Sequence, residues 1–461
     1  MSNKKYSTAE NTCAMISLGC PKNLIDSEQM LGLMQKGGYR WVQKPQKADV
    51  VIVNTCGFID QARQESLDVI RQMAKLKSRG KIKKLVVTGC LVERDREVLF
   101  ERCPDIDRLV GVFARDEIVD LVGTINGDET NTKGSCNRAV FPKSPGLLPK
   151  DDQRKRLTAR HTAYLKISEG CDRVCSFCTI PSIRGKHVSK PVEQIVSEAR
   201  ELGASGAREL VLVGQDTSYY GFDLYDGPRL AQLVSELDKV DSIDWIRLMY
   251  LYPMHITEEL IDAISTSKKV LPYLDIPLQH ASENILRRMK RCVTGKEVEQ
   301  LLGRLREKIE TLVLRSTLIV GFPGETERDF EELLEFVSRQ KFERLGVFGY
   351  CREPGTAADL LDDHLDARTI DARRNMVLTS QQSIAFDFAR SQVGRKLNVL
   401  IDSRVPDERN VHLGRSYADA PDVDPLVYVT GEGLAAGQIV PCEIVASQEY
   451  DLIGFAIAEP Y

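Results

Sequence analysis

Apolar residues recur in two alternating rhythms through residue 392 and in a third rhythm beyond it. Short, nearly continuous apolar runs stand between segments whose apolar residues fall three or four apart, the patterns of strand and helix. Cys13–Leu18, Asp49–Val53 and Lys84–Val87 read as strands, with a weaker fourth at Arg108–Val110. Between the first two, Leu24, Leu31 and Met34 mark a helix that Gly37-Gly38 stops. The Asp49–Val53 run is almost all Val and Ile, which suits burial on both faces. This alternation predicts an α/β domain with a parallel sheet over residues 10–125.

A polar stretch rich in Gly, Asn, Thr and Lys follows, and residues 126–156 read as a linker. Six further strands are then predicted, at Ala163–Ile167, Glu209–Val213, Trp245–Met249, Tyr273–Ile276, Leu312–Val320 and Leu345–Phe348. Helical patterns separate them, one opened by Pro191 and closed by Gly203, another capped by Thr294. Six strand–helix units predict a partial (β/α)6 barrel over 157–392, short of a full eight-stranded one. Past a long helical stretch from Arg373 to Gln392 the rhythm changes. Leu397–Ile401, Leu426–Val429, Cys442–Val445 and Leu452–Ile457, broken by Gly, Pro and Asp, predict a small β-barrel over 393–461.

Composition narrows the class. A length of 461 residues fits about three domains at the usual ~150 residues each. With 63 basic and 67 acidic residues the net charge is −4, which excludes a polycationic nucleic-acid surface over the whole chain. No run approaches the ~18 apolar residues of a membrane span, and the first residues lack the apolar centre of a secretory signal. The expected setting is the cytoplasm, where the twelve cysteines serve as thiols, ligands or buried apolar groups.

Cysteine spacing brings in the chemistry. Cys171, Cys175 and Cys178 lie within eight residues, after the first predicted barrel strand. That is one ligand short of a structural zinc site, and the trio suits a four-iron cluster whose fourth iron stays open. Cys20, Cys56 and Cys90 each follow one of the first three strands, 36 and 34 residues apart. Parallel strands end on one edge, so three thiols distant in sequence would converge where open α/β sheets bind ligands. They are either three unrelated core cysteines or a second cluster site, and their equivalent positions favour the site. Cys13, Cys103, Cys292, Cys351 and Cys442 read as packing residues, and Cys136 as a bystander in the linker. Gly214-Gln215-Asp216, Gln279-His280 and Gly321-Phe322-Pro323-Gly324-Glu325 stand at other strand ends. His280 reads as a hydrogen-bonded structural residue rather than a base. Gly321 and Gly324 either let backbone approach a ligand or only turn the chain into the helix capped by Thr326.

The Cys-x-x-x-Cys-x-x-Cys loop resembles that of the radical S-adenosylmethionine enzymes. Gly19-Cys20-Pro21-Lys22-Asn23, Asn54-Thr55-Cys56-Gly57-Phe58-Ile59, Cys175-Ser176-Phe177-Cys178, Ile180-Pro181, Arg184-Gly185 and Gly321-Phe322-Pro323-Gly324-Glu325-Thr326 extend the likeness to the methylthiotransferases. Pro21-Lys22, the wording of the radical loop and the segment Gly414–Asp424 are similar to the RimO branch, which modifies an aspartate of small-subunit ribosomal protein S-twelve. Asp172 and Cys351 stand where that branch has other residues, and neither is a ligand position.

The resemblance implies an N-terminal cluster domain, a radical barrel and a C-terminal TRAM-like module. It implies two four-iron four-sulfur clusters, one on Cys171, Cys175 and Cys178 with S-adenosylmethionine at its open iron, the other on Cys20, Cys56 and Cys90. A radical from one S-adenosylmethionine would open the aspartate β-carbon, and a second would supply the methyl group. Gly214, Asp216, Gln279, Arg315 and Gly321 are the candidate contacts to cofactor or substrate, and a flavodoxin or ferredoxin the expected electron donor. From residue 394 onward five Lys and Arg face eleven Asp and Glu. That sign disfavours tRNA phosphates and would attract a basic ribosomal protein. The rivals are a tRNA methylthiotransferase and a non-catalytic metal-holding RNA-binding module.

Overall fold

A computed structural model of the chain describes residues 11–123, 138–143, 148–151 and 154–457. These divide into two compact units. One holds the described residues up to Leu157 with Gly170–Asp172 and Thr179–Lys186, and the other Thr158–Glu169, Arg173–Cys178 and His187 onward.

The first unit is built on a six-stranded sheet. Its strands are β1 (Thr12–Ser17), β2 (Arg40–Trp41), β3 (Val50–Thr55), β4 (Lys84–Gly89), β5 (Arg108–Val110) and β6 (Ala139–Val140). They lie in the order β2-β1-β3-β4-β5-β6, every neighbour parallel. All six residues of β3 are buried. Val51 and Val53 pack into one apolar layer, Val50 and Ile52 into the other, as expected for a strand covered by helices on both faces. The four strands read from the sequence are present. β2 and β6 are additions: β2 pairs with β1, and β6 lies inside the stretch read as linker and pairs with β5. Cys136 falls outside the described residues.

The second unit carries two barrels. Strands β7 (Thr162–Lys166), β10 (Glu209–Val213), β11 (Trp245–Leu248), β12 (Val270–Asp275), β13 (Val313–Val320) and β14 (Arg344–Gly349) form an open parallel sheet in the order β14-β13-β12-β11-β10-β7. A two-stranded ladder of β8 (Ser168–Glu169) and β9 (Val188–Ser189) stands apart from it. The helices Val192–Ala204, Gly295–Lys308 and Glu327–Gln340 turn Ile195, Leu302 and Leu333 into the core. Thr294–Glu297 and Thr326–Asp329 close reciprocal capping boxes at the last two.

The last five strands, β15 (Lys396–Arg404), β16 (Val411–Arg415), β17 (Val427–Thr430), β18 (Ile439–Gln448) and β19 (Asp451–Ala456), close into a barrel in the order β15-β16-β17-β19-β18. β16 has no counterpart among the strands read from the sequence. Its buried residues include His412 and, on the opposite face, Arg415, so its buried positions carry no apolar pattern that would mark a strand.

Between β16 and β17 the chain enters the amino-terminal end of the open barrel. Arg415 donates to Glu209 (2.6 Å), Asp402 (2.8 Å) and Thr162 (3.0 Å), and Arg247 donates to Glu209 from the other side (2.9 Å). Arg344 donates to Asp419 at 2.7 Å, and the Tyr273 hydroxyl to Asp424 at 2.6 Å. Asp402, Asp419 and Asp424 therefore spend their charge inside the molecule, and the negative charge that the module turns outward is smaller than a residue count implies. Two of the cysteines read as packing residues differ as well: Cys292 and Cys351 are exposed, whereas Cys13, Cys103 and Cys442 are buried.

Candidate iron–sulfur and cofactor sites

At the carboxyl edge of the first sheet, three adjacent strands deliver Cys20, Cys56 and Cys90. Cys20 caps the helix Pro21–Lys36, its carbonyl accepting from Asn23 and Leu24 N–H. Cys56 directly follows β3, and its backbone N–H and carbonyl are both held by Ser66 Oγ, at 3.1 and 3.0 Å. Cys90 directly follows β4 and opens a short helix. The loops touch. A Cβ on Gly19 would fall 2.8 Å from Cys56 Cβ and 3.0 Å from its sulfur, and one on Gly57 would fall 2.7 Å from the Cys90 carbonyl carbon. Glycine is what permits the approach.

Two asparagines stitch the edge together. Asn23 donates to the Leu18 and Thr55 carbonyls, and Asn54 to the Asn23 carbonyl and Ser27 Oγ. Burial pushes the Cys90 thiol up to about 11, with the Arg184 guanidinium pulling against it. Burial likewise raises Cys56, opposed by the Phe58 N–H and by Arg184. Cys20 acts on both thiols. Among the described residues no three His, Cys, Asp or Glu side chains close round one point as a single ion requires. Cluster thiolates bind separate irons and stay spread. Three soft, half-buried or buried thiols under a guanidinium fit such a cluster, whose iron takes the place of the thiol proton.

The radical loop is divided between the two units. Cys171, in the first, donates its N–H to the Gly185 carbonyl at 3.1 Å. Cys175 and Cys178, in the second, form a turn in which Cys178 N–H donates to the Cys175 carbonyl at 3.1 Å. Its neighbours fix that turn. Arg173 donates to Asp216 at 2.8 Å and lies over the Tyr252 and Tyr219 rings, 4.3 and 4.9 Å from their centroids. Ser176 Oγ donates to the Arg288 carbonyl at 2.8 Å, and Phe177 packs on the cluster of Met289, Phe322 and Tyr350. Asp216 also accepts from Ser218 Oγ and Tyr219 N–H.

The other candidates separate into three groups. Gln279 bridges to Leu318 beyond the end of β12, with φ at +75° and its Oε1 buried without a partner. Gln215 Oε1 and Ser168 Oγ, past β10 and in β8, are in the same state. Three unsatisfied acceptors at strand ends suit a polar cofactor, because a buried polar group left alone costs about 1–3 kcal/mol. Ser168 was not legible as a site residue, since a two-residue strand leaves no periodic signal. Gly214 lies at the same end, and a Cβ on it would meet Ser168 Oγ at 2.6 Å.

Gly321 has φ at +73°, and its N–H donates to Glu325 Oε2 at 2.7 Å. Glu325 also binds Arg373 at 2.7 Å and faces the buried His280, whose Nδ1 accepts from Ser282 N–H. The Gly321–Glu325 turn is thus held by its own carboxylate, and His280 Nε2 stands 3.4 Å from that carboxylate. Arg315 lies elsewhere. It pairs in register with Arg344 in the amino-terminal half of β13 and is engaged by Asp275 (2.8 Å) and Asp424 (3.7 Å), not by the strand-end groups.

Residues 12–111 match the uncharacterised protein family UPF0004, residues 165–337 the Radical SAM superfamily and residues 393–457 the TRAM domain. A ribosomal protein uS12 methylthiotransferase RimO of Symbiobacterium thermophilum is 45% identical over 96% of this chain and 90% of its own length. Its counterpart in Clostridioides difficile is 43% identical over 97% and 99%. In fold, the radical S-adenosylmethionine methyltransferase TsrM of Kitasatospora setae, solved with cobalamin and a [4Fe-4S] cluster, aligns at TM-score 0.55 and 15% identity. That alignment covers 76% of this chain and 77% of TsrM.

Proposed function

Because this chain belongs to the RimO family of methylthiotransferases, we propose that it adds a methylthio group to the β-carbon of an aspartate of ribosomal protein uS12. It is a radical S-adenosylmethionine transferase that uses four-iron four-sulfur clusters. The observation that carries the reading is the meeting of Cys20, Cys56 and Cys90 at one sheet edge, in a chain that also has the radical loop. A radical enzyme needs only the loop, whereas sulfur insertion needs a second centre.

When bound, S-adenosylmethionine and the clusters supply the one-electron chemistry that opens an unactivated C–H bond, the sulfur and the methyl group. The protein's own share is placement. Cys171, Cys175 and Cys178 hold the radical cluster, and Arg173, through Asp216, keeps the Cys175–Cys178 turn in position. Gln279, Gln215 and Ser168 offer acceptors to the cofactor, and Gly214 lets it and Ser168 come close. Cys20, Cys56 and Cys90 hold the auxiliary cluster. A one-electron donor of the flavodoxin or ferredoxin class reduces the protein. On the C-terminal module the exposed residues still include more acids, such as Asp407, Glu408, Glu432, Glu443 and Glu449, than bases. That balance supports a basic protein partner over tRNA phosphates.

Mass spectrometry of uS12 and tRNA from a deletion strain tests the assignment. Methylthio should vanish from uS12 and return with the wild-type gene but not with Cys90→Ala. Its loss from tRNA, with uS12 unchanged, would assign the chain to the tRNA reaction instead. Anaerobic reconstitution should give about eight irons per chain, four for each cluster.

A further inference from the structure

Arg184 lies six residues after Cys178 in the sequence, yet its side chain belongs to the first unit and is 2% exposed. Its Nη2 stands 3.4 Å from Cys90 Sγ and 3.1 Å from Asn23 Oδ1, and its Nη1 donates to Asp26 Oδ2 at 2.7 Å. Arg115, also buried, reaches the other oxygen of Asp26 at 3.2 Å. Two guanidiniums therefore share one carboxylate, and the Glu93 carboxylate also feels the Arg184 charge. A buried guanidinium in contact with a cysteine sulfur is better satisfied when that sulfur is a thiolate, as it is when it ligates iron. The short helix Ile180–Arg184 and the Gly19–Asn23 loop hold the fork in place.

We propose that Arg184 is a positioning and tuning residue of the auxiliary centre: its guanidinium donates to the Cys90 sulfur and sets the reduction potential of the cluster there. The proposal rests on Cys20, Cys56 and Cys90 holding that cluster. Hydrogen bonds to cluster sulfurs and nearby net charge are what move such potentials. Reduction adds one electron to the cluster, so a fixed cation in contact with a ligand sulfur favours the reduced state. Asp26 works in the opposite sense, since it neutralises part of the cation. A cluster held there would have its potential set by a residue that follows the radical loop in the chain.

The test uses the full chain carrying Cys171→Ala, Cys175→Ala and Cys178→Ala, so that the auxiliary cluster is observed alone. Reconstitution should leave about four irons. A chain with none overturns the cluster reading itself and is distinguished by that count. With iron present, redox titration followed by electron paramagnetic resonance should show a lower midpoint for Arg184→Met, partial recovery for Arg184→Lys and a higher midpoint for Asp26→Asn. A packing role alone would not give shifts of opposite sign. An unmoved midpoint in Arg184→Met at full iron content overturns the proposal, as does a shift of Asp26→Asn in the same direction. If Arg184→Met fails to fold, Asp26→Asn decides: a midpoint unmoved or lowered overturns it.

Discussion

The two ends of the open barrel differ in one respect that explains most of the rest. At the amino-terminal end the buried charges have partners: Glu209 lies between Arg415 and Arg247, Asp419 meets Arg344, and Asp424 meets Tyr273 and Arg315. At the carboxyl end Ser168, Gln215 and Gln279 each keep a buried acceptor with none. At one end each of these charged side chains is paired within the protein, with Arg344 Nε alone among their atoms left over, and the other end is left to be completed by a ligand. Parallel barrels place stability and chemistry at opposite ends in this way.

Arg415→Met gives the largest expected effect. It strands Glu209, which is fully buried, with one counter-ion fewer, and removing one partner of such a pair costs about 3–5 kcal/mol. Chemical denaturation should show that loss, and a change under ~1 kcal/mol would abolish the contrast. Gln279→Ala should do the reverse. Unfolding should shift by less than ~0.5 kcal/mol. The dissociation constant for S-adenosylmethionine, measured by equilibrium binding to the reconstituted protein, should rise about ten- to a hundredfold, for a lost hydrogen bond worth ~1.5–3 kcal/mol to a charged group. Equal affinity would remove Gln279 from the site.

The smallest effect concerns pH. Burial alone would raise the Asp402 carboxyl, but hydrogen bonds from His161 and Arg415 outweigh it and hold the group below its ordinary value. A depressed carboxyl stabilises the fold fully above its unfolded value, about 3.9, and loses that contribution as pH falls through the folded one. Stability should therefore fall below about pH 4, and less steeply in Asp402→Asn. Identical slopes would show that Asp402 takes no part.

Much of this was legible in the residues, and the remainder has physical reasons for being hidden. The trio Cys20, Cys56 and Cys90 could be read because parallel strands end on one edge, so a repeat in sequence becomes a cluster in space. The Arg184–Asp26–Arg115 group could not. Its members are 158 and 89 residues from Asp26, and a helical arginine looks the same whether it faces solvent or a sulfur. Arg315 was misplaced for a related reason: a strand's ends are visible in sequence, but the layer in which a side chain points inward is not. The acidic count of the C-terminal module erred because it assigns every charge to the surface, while Asp402, Asp419 and Asp424 face inward. Apolar patterning locates elements well, and polar residues that pair across them leave no pattern.

The segment from Arg415 to Asp424 also bears on how this architecture can be recombined. A cut before residue 393 would follow the edge of the TRAM match, yet it would expose Glu209, Arg344 and Tyr273 at the barrel floor without Arg415, Asp419 and Asp424. The matched region and the folding unit have different borders. A foreign module grafted at that point would have to bring an equivalent of Arg415, Asp419 and Asp424, or the recipient would have to lose its own floor charges. Exchange of C-terminal modules is therefore constrained by electrostatics before any question of substrate arises.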